Sequence, residues 1–316
     1  MTGYLIRRLG QAVLLLLIVS MVGFAILHLA PGGPLSQFAA GSDMSQEDLD
    51  RIAEQLGLNR PLPVQYAEWL FRMLRGDWGV SYRDGEAVLY VIGSHLGATL
   101  QLMLTATLMA MLIGCWVGIL GAIRRYSIFD TLATVGAMVT LSIPTFWFGL
   151  VAIYVFSVEL EWLPSGNRET VGDGSLGDLL HHLILPASVL ALVETAIWSR
   201  FMRSSMLDVV NQDYIRTARA KGLPEWRILV RHAFRNAALP MITVVGLQLP
   251  TLLGGALVTE TVFTWPGMGR LFLDSISYRD YPVVMGILMF SATMVLIGSL
   301  LADVLYAIAD PRIRLG

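Results

Sequence analysis

The residues able to do chemistry in this 316-residue chain are few and scattered. A phosphate-binding P-loop needs Gly-Lys-Ser/Thr, because the lysine reaches the phosphates and the hydroxyl holds magnesium. The chain has one lysine, Lys221, and Gly222 follows it, so no P-loop is present. No H-E-x-x-H or G-x-S-x-G occurs, and no catalytic residue is assigned. The single cysteine, Cys115, lies in an apolar run. It excludes an intrachain disulfide and a metal site built on cysteines, and reads as a small buried apolar residue. His181 and His182 are adjacent, which suits either a metal pair or a solvated loop, and no metal site is assigned. Three acids remain in or beside apolar runs: Glu194, Glu260 and Asp303. Glu194 is deep in its run, whereas Glu260 and Asp303 fall near run ends, within reach of water. Acids inside a membrane mark solute paths, proton relays or paired structural sites. Glu194 and Glu260 are therefore candidates to line a path, with Glu194 also able to pair with a neighbouring subunit. If ATP drives this chain, a different chain must hydrolyse it.

These residues sit in a chain built for a bilayer. Hydrophobic residues make up 55% and charged residues 15%, with a mean hydropathy of +0.63. Soluble domains carry about 25% charged residues. Six stretches approach the roughly 20 apolar residues that a span needs. They are Ala12–Leu29, Thr99–Ile123, Thr131–Val158, Leu183–Ser199, Asn236–Thr259 and Tyr281–Ala302. The first is long for a signal peptide and lacks an A-x-A cleavage site, so it is expected to remain as a span. Lys and Arg are concentrated in alternate loops, which places both termini in the cytoplasm. The net charge of −2 provides no basic surface for nucleic acid.

The resulting plan has an N-terminal segment and first span over 1–30, an external helical cap over 31–98, and a membrane core over 99–310. A cytoplasmic loop occupies 200–238 and a short tail 311–316. Within the cap, Ser45–Leu56 starts on a candidate N-cap, Ser45, and repeats apolar residues at helical spacing. Val64–Leu74 has Tyr66, Trp69, Leu70 and Met73 on one side. The cap serves either as a spacer or as a docking surface for an external partner.

The cytoplasmic loop has a definite local grammar. Asp213 is placed to cap a helix whose face carries Tyr214, Ile215 and Ala218. Gly222 is placed to end it at positive φ. Pro224 falls in the first turn of the next helix, which would carry an apolar stripe of Trp226, Leu229, Val230 and Phe234. Such a loop suits either docking to a partner or adhesion to anionic lipid.

The stretch Tyr214-Ile215-Arg216-Thr217-Ala218-Arg219-Ala220-Lys221-Gly222-Leu223 resembles the coupling-helix loop of binding-protein-dependent ATP-binding cassette importer permeases. It is similar in particular to the dipeptide and oligopeptide branch. Tyr4–Pro34, Leu56–Tyr82, Glu260–Gly286 and the ending Asp310-Pro311-Arg312-Ile313-Arg314 resemble the same branch, and the long outer loop points to its B-type subunit. Arg216 stands where the general pattern has a glutamate, and the distance from Gly222 to Pro240 is about five residues longer than usual.

The resemblance implies an all-α polytopic protein of the bacterial inner membrane, with six spans in the type I importer permease fold. It implies a non-enzymatic subunit that pairs with a second permease and two ATPase chains, and receives peptide from an external solute-binding protein. ATP and magnesium would sit on the ATPases. Asp213–Leu223 would carry the coupling. Nickel, glutathione, sugar or opine is the alternative cargo within this class, and a stand-alone channel or ion-coupled carrier is the alternative outside it.

Overall fold

The computed structural model describes residues 2–29, 33, 45–55, 57–238 and 255–309, with positions 240, 241, 244, 245, 248 and 252 between them. Four helices are long and apolar enough to cross a membrane: α1 (Thr2–Leu29), α4 (Val88–Ile123), α7 (Leu176–Val210) and α12 (Tyr281–Ala309). The fifth expected span, Asn236–Thr259, lies largely outside the described residues, as do 34–44 of the cap and the tail 311–316.

The third expected span is not one helix. It is α5 (Ile128–Ser142) followed by α6 (Thr145–Ala152), which runs on as a π-helix over Ile153–Glu159, and the two parts are bent by 101°. The break falls at Ile143-Pro144, where ψ is 132° and 136°. Proline disfavours helical geometry in the residue before it, so an uninterrupted apolar run still turns there. α5 itself starts on Ser127, whose hydroxyl accepts the Asp130 N–H.

The second and fourth spans are longer than their apolar cores suggest. α4 begins at Val88 rather than Thr99, so the last part of the expected cap belongs to this helix. Its 36 residues extend about 54 Å, well beyond a hydrocarbon core of roughly 30 Å. α7 has 35 residues. Among the described residues these two helices form the most extensive contact. A Cβ on Gly114 would sit 3.0 Å from the Thr195 carbonyl oxygen, and one on Gly118 would sit 2.6 Å from that of Ser199. Glycine on one helix thus lets backbone meet backbone, and dispersion between close-packed atoms holds the pair where lipid supplies no hydrophobic drive.

The remaining elements attach to this pair. α1 packs on α12, and Arg8 joins Asp303 across them at 2.7 Å. On the outside lie α2 (Gln46–Gln55), α3 (Leu62–Leu74), α10 (Leu257–Val262) and α11 (Met268–Ser277). The expected cap of α2 is present: the Asp48 N–H meets the Ser45 hydroxyl at 3.3 Å. On the inside lies α8 (Asp213–Ala220). Glu225–Arg227, the π-helical Ile228–Phe234 and Arg235–Ala237 then follow end to end and are together called α9.

The α4–α7 contact yields a stability prediction. Gly118→Val must push apart two backbones, a strain of about 1–3 kcal/mol. Thermal unfolding of the solubilised protein should show that loss. Gly97→Ala, where nothing lies within 4 Å of the added carbon, should change stability by less than about 0.5 kcal/mol.

Candidate functional site

The cytoplasmic segment is a short helix hung from the α4–α7 pair. Ile215 and Ala218 are buried in the same cluster as Trp198, Met202 and Met206 of α7 and Ile228, Ala233 and Ala237 of α9. The other positions of α8 are exposed: Asp213, Tyr214, Arg216, Thr217, Arg219 and Ala220, followed by Lys221 and Gly222, with Leu223 half-buried. Gln212, not Asp213, holds the N-cap position, and Asp213 is the first helical residue, 3.6 Å from Arg216. Tyr214 is 44% exposed and does not join Ile215 and Ala218 on the inner face.

Gly222 ends the helix as expected, at φ +75°. Its N–H bonds the Arg219 carbonyl and the Leu223 N–H bonds that of Ala218. Pro224 stands at the N-cap of α9 rather than inside its first turn. A two-pronged pair closes the corner: Arg219 Nη2 and Nε meet the Glu225 carboxylate at 2.7 and 3.2 Å. Hydrogen bonding and charge from Arg219 hold the Glu225 carboxyl below its ordinary value.

Of the expected stripe on α9, Trp226, Val230 and Phe234 face outward and only Leu229 packs against the core. Trp226 and Val230 are 63% and 61% exposed, while Ile228 and Ala233 are fully buried. The cause is the π-helical stretch Ile228–Phe234. Its wider turn, with i→i+5 bonding, rotates the inward face away from the 3.6-residue period used to place the stripe. Val230 and Trp226 are left as exposed apolar surface.

The acids of the membrane segment divide. Glu194 is half-buried and accepts the Thr107 hydroxyl of α4 at 3.0 Å. Glu260, which the sequence placed within reach of water, is fully buried. Its carboxylate accepts the Thr99 hydroxyl at 2.8 Å and the N–H groups of Gly269 and Arg270 at 2.7 and 3.1 Å. The last two are in the first turn of α11, so a residue of α10 caps a different helix. Negative charge there also meets the positive end of the helix dipole. Thr99 in turn accepts the Met268 N–H at 2.7 Å, and Trp265 Nε1 donates to the Ala98 carbonyl at 2.8 Å. A Cβ on Gly267 would fall on the Glu260 carboxyl group. Glu260 is thus a structural latch enclosed by protein, and it faces no open space.

A second buried acid, Asp280, escaped the sequence reading. It accepts the Ser81 hydroxyl and the Tyr82 and Arg83 N–H groups at 3.1 and 3.4 Å, and binds the cap to the start of α12. Burial beside Asp280 pushes the Tyr82 phenol up. The available signal was Asp280-Tyr281-Pro282 before an apolar run, a helix-start pattern. His181 and His182 are not a solvated loop. His182 is buried and bonds Gly166 O at 2.8 Å and Thr170 Oγ1 at 3.2 Å, while His181 bonds Trp162 O. Among the described residues no group of three His, Cys, Asp or Glu is placed to hold a metal ion.

Comparison with known proteins gives consistent matches. The family model described as binding-protein-dependent transport system inner membrane component matches residues 110–315, and its N-terminal companion matches 1–103. The chain is 48% identical to the oligopeptide transport system permease protein AppB of Bacillus subtilis (strain 168), over 99% of this chain and 100% of that one. It is 39% identical to the dipeptide transport system permease protein DppB of Escherichia coli (strain K12), over 99% of each. Among solved structures, the inward-facing MetNI methionine ABC transporter matches with a TM-score of 0.55 at 16% identity, covering 70% of this chain and 97% of that one. That likeness concerns the fold.

Two predictions follow from the site's geometry. Glu260→Gln brings an amide N–H2 among donors and leaves one of them without an acceptor, a cost of about 1–3 kcal/mol. It should lower thermal stability and expose the 256–268 backbone to protease, whereas Glu194→Gln, which keeps an oxygen for Thr107, should do neither. The exposed Arg219–Glu225 pair contributes at most about 1 kcal/mol. Because the folded Glu225 value is depressed, that contribution is complete above the ordinary 4.5 and lost as pH falls through the lower folded value. The stability difference between wild type and Glu225→Gln should be flat at neutral pH and vanish in acid.

Proposed function

The chain belongs to the family of binding-protein-dependent transport inner-membrane components, and from that membership we propose that it moves peptides through an ATP-driven importer, with α8 as the contact for the ATPases. It is a permease subunit of an ATP-binding cassette importer, a multi-pass protein of the bacterial inner membrane and a non-catalytic transport component. Two relatives named for oligopeptide and dipeptide transport, similar over nearly their full length, support peptide as the cargo. Nickel, glutathione, sugar or opine stays as the alternative cargo.

In this reading the subunit pairs with a second, similar permease, and each contributes half of the path. Two ATPase chains, with their ATP and magnesium, sit against the cytoplasmic face. An external solute-binding protein delivers the cargo. The observation that carries the reading is the mounting of α8. It presents an exposed arc of Asp213, Arg216, Thr217 and Arg219, yet Ile215 and Ala218 tie it through α9 into the buried cluster shared with the long α7. A force applied to this arc moves a packed body and not a free loop, which suits rigid-body switching between inward and outward access. Trp226 and Val230 of the following helix are also exposed. Since Arg216 replaces the usual glutamate, docking here rests on Arg216 and Lys221 reaching acceptors on the ATPase. Glu194, half-buried between α4 and α7, is the proposed path-lining acid.

Gly222 provides the test. Its position at φ +75° has open space around the missing Cβ, so substitutions act on backbone strain alone. A β-branched residue there costs about 1–2 kcal/mol, while asparagine tolerates the conformation. In proteoliposomes holding the whole complex, Gly222→Val should raise ATP hydrolysed per solute imported by about 5- to 30-fold. Gly222→Asn should stay close to wild type. Unchanged coupling in Gly222→Val would count against α8 as the transmitting element. Transport by this chain alone, without ATPases, would overturn the importer reading.

A further inference from the structure

α3 (Leu62–Leu74) belongs to the external cap, yet none of its residues is buried. Its side chains fall on three arcs. The first arc meets α1: Tyr66 Oη lies 2.8 Å from Ser20 Oγ, and the Phe24 ring sits 5.5 Å from Tyr66 and 5.9 Å from Trp69. Ser20 is fully buried and lies nine residues before the end of α1 at Leu29, about 14 Å along the axis. The apolar part of α1, Ile6–Leu29, is 24 residues, about 36 Å, close to the thickness of the hydrocarbon core. α3 is therefore fastened beside the outer half of a membrane span and not on top of it.

The second arc is polar. Gln65, Glu68 and Arg72 line a cavity of about 220 Å³ together with His28, Asp77 and Tyr281. Glu68 is paired with Arg60. Both charged side chains of the helix are turned to this cavity.

The third arc, opposite the cavity, carries Pro63, Val64, Ala67, Leu70, Phe71 and Leu74, with no charge among them. Val64, Phe71 and Leu74 are 42%, 55% and 74% exposed. The guanidinium of Arg75 folds back over the Phe71 ring at 3.9 Å, as a basic group does when its stem lies on apolar surface and its head seeks water. An uncharged arc opposite a charged one, with aromatic residues at the flanks, is the pattern of a helix lying in a bilayer interface. Met21 and Val22 of α1, next to the Ser20–Tyr66 contact, are half exposed, so α1 also leaves apolar side chains uncovered near α3. The arc itself carries no charged residue, and Arg75 at its edge lies over the Phe71 ring.

We propose that the Val64–Leu74 face of α3 is immersed in the outer leaflet, so that the phospholipid bilayer is its partner and anchors the cap. The cavity behind α3 keeps Glu68 and Arg72 hydrated at that depth. Cys115 is the single native cysteine, which makes the test direct. In a Cys115→Ser background, nitroxide is attached at Phe71→Cys, Leu74→Cys and the exposed control Asp84→Cys, and the complete complex is placed in phospholipid nanodiscs. Collision with oxygen is compared with collision with a water-soluble nickel chelate, with and without the binding protein. The expected result is high oxygen and low nickel access at Phe71 and Leu74, the reverse at Asp84, and no change with the binding protein. High nickel access at Phe71 and Leu74 would overturn the proposal. So would shielding from both reagents, which would mean protein cover. If either labelled variant fails to assemble, Val64→Cys reports on the same face.

Discussion

The close contact of α4 with α7 is the constraint on which the rest of the molecule depends. Inside lipid there is no hydrophobic force to bring two helices together, so association rests on how near their backbones come. Gly114 and Gly118 bring α4 to within van der Waals reach of the α7 carbonyls. The pair so formed is longer than the bilayer is thick. Its outer end holds the Glu260 and Trp265 junction through Thr99 and Ala98. Its inner end holds α8 through Trp198, Met202 and Met206. One rigid unit therefore connects the two faces of the membrane.

The fold treats charge differently at different depths, for a common physical reason. A carboxylate enclosed by protein must have all its acceptor capacity used, because an unsatisfied charge in low dielectric is costly. Glu260 and Asp280 meet this by accepting backbone N–H groups of helix starts and turns. Glu260 thereby satisfies backbone donors that a helix terminus leaves open. Asp303 is instead matched with Arg8, and Asp130 with Arg203 at 2.6 Å. At the cytoplasmic surface, Arg219 and Glu225 are exposed to water and contribute little energy, and they bridge the corner around Gly222.

Much of this was legible in the residues. The end of α8 at Gly222 followed from the need for a residue free to adopt positive φ, and Ser45 showed the start of α2. The apolar runs marked the spans because a bilayer requires about 20 such residues. Other features were not legible. The break at Ile143-Pro144 lies inside an uncharged run with no polar signal. The face of α9 turned because Ile228–Phe234 bond with π spacing, and periodicity counted at 3.6 residues cannot register that. Glu260 looked like an acid near a span end because sequence distance says nothing about which loop folds over it.

The sequence by itself determined that this chain is built for a bilayer and carries no P-loop, with the helix before Gly222 closed by that glycine. Composition, run length, the lone lysine and local turn chemistry are properties of neighbouring residues, and they need no fold to be read. Only the tertiary structure decided which acids are enclosed, which face of α9 is bare, and that α3 lies against the outer half of α1. Those outcomes depend on contacts between residues far apart in the chain, such as Thr99 with Glu260, Ser81 with Asp280 and Ser20 with Tyr66. Such pairs meet because the long helices fix where their ends stand.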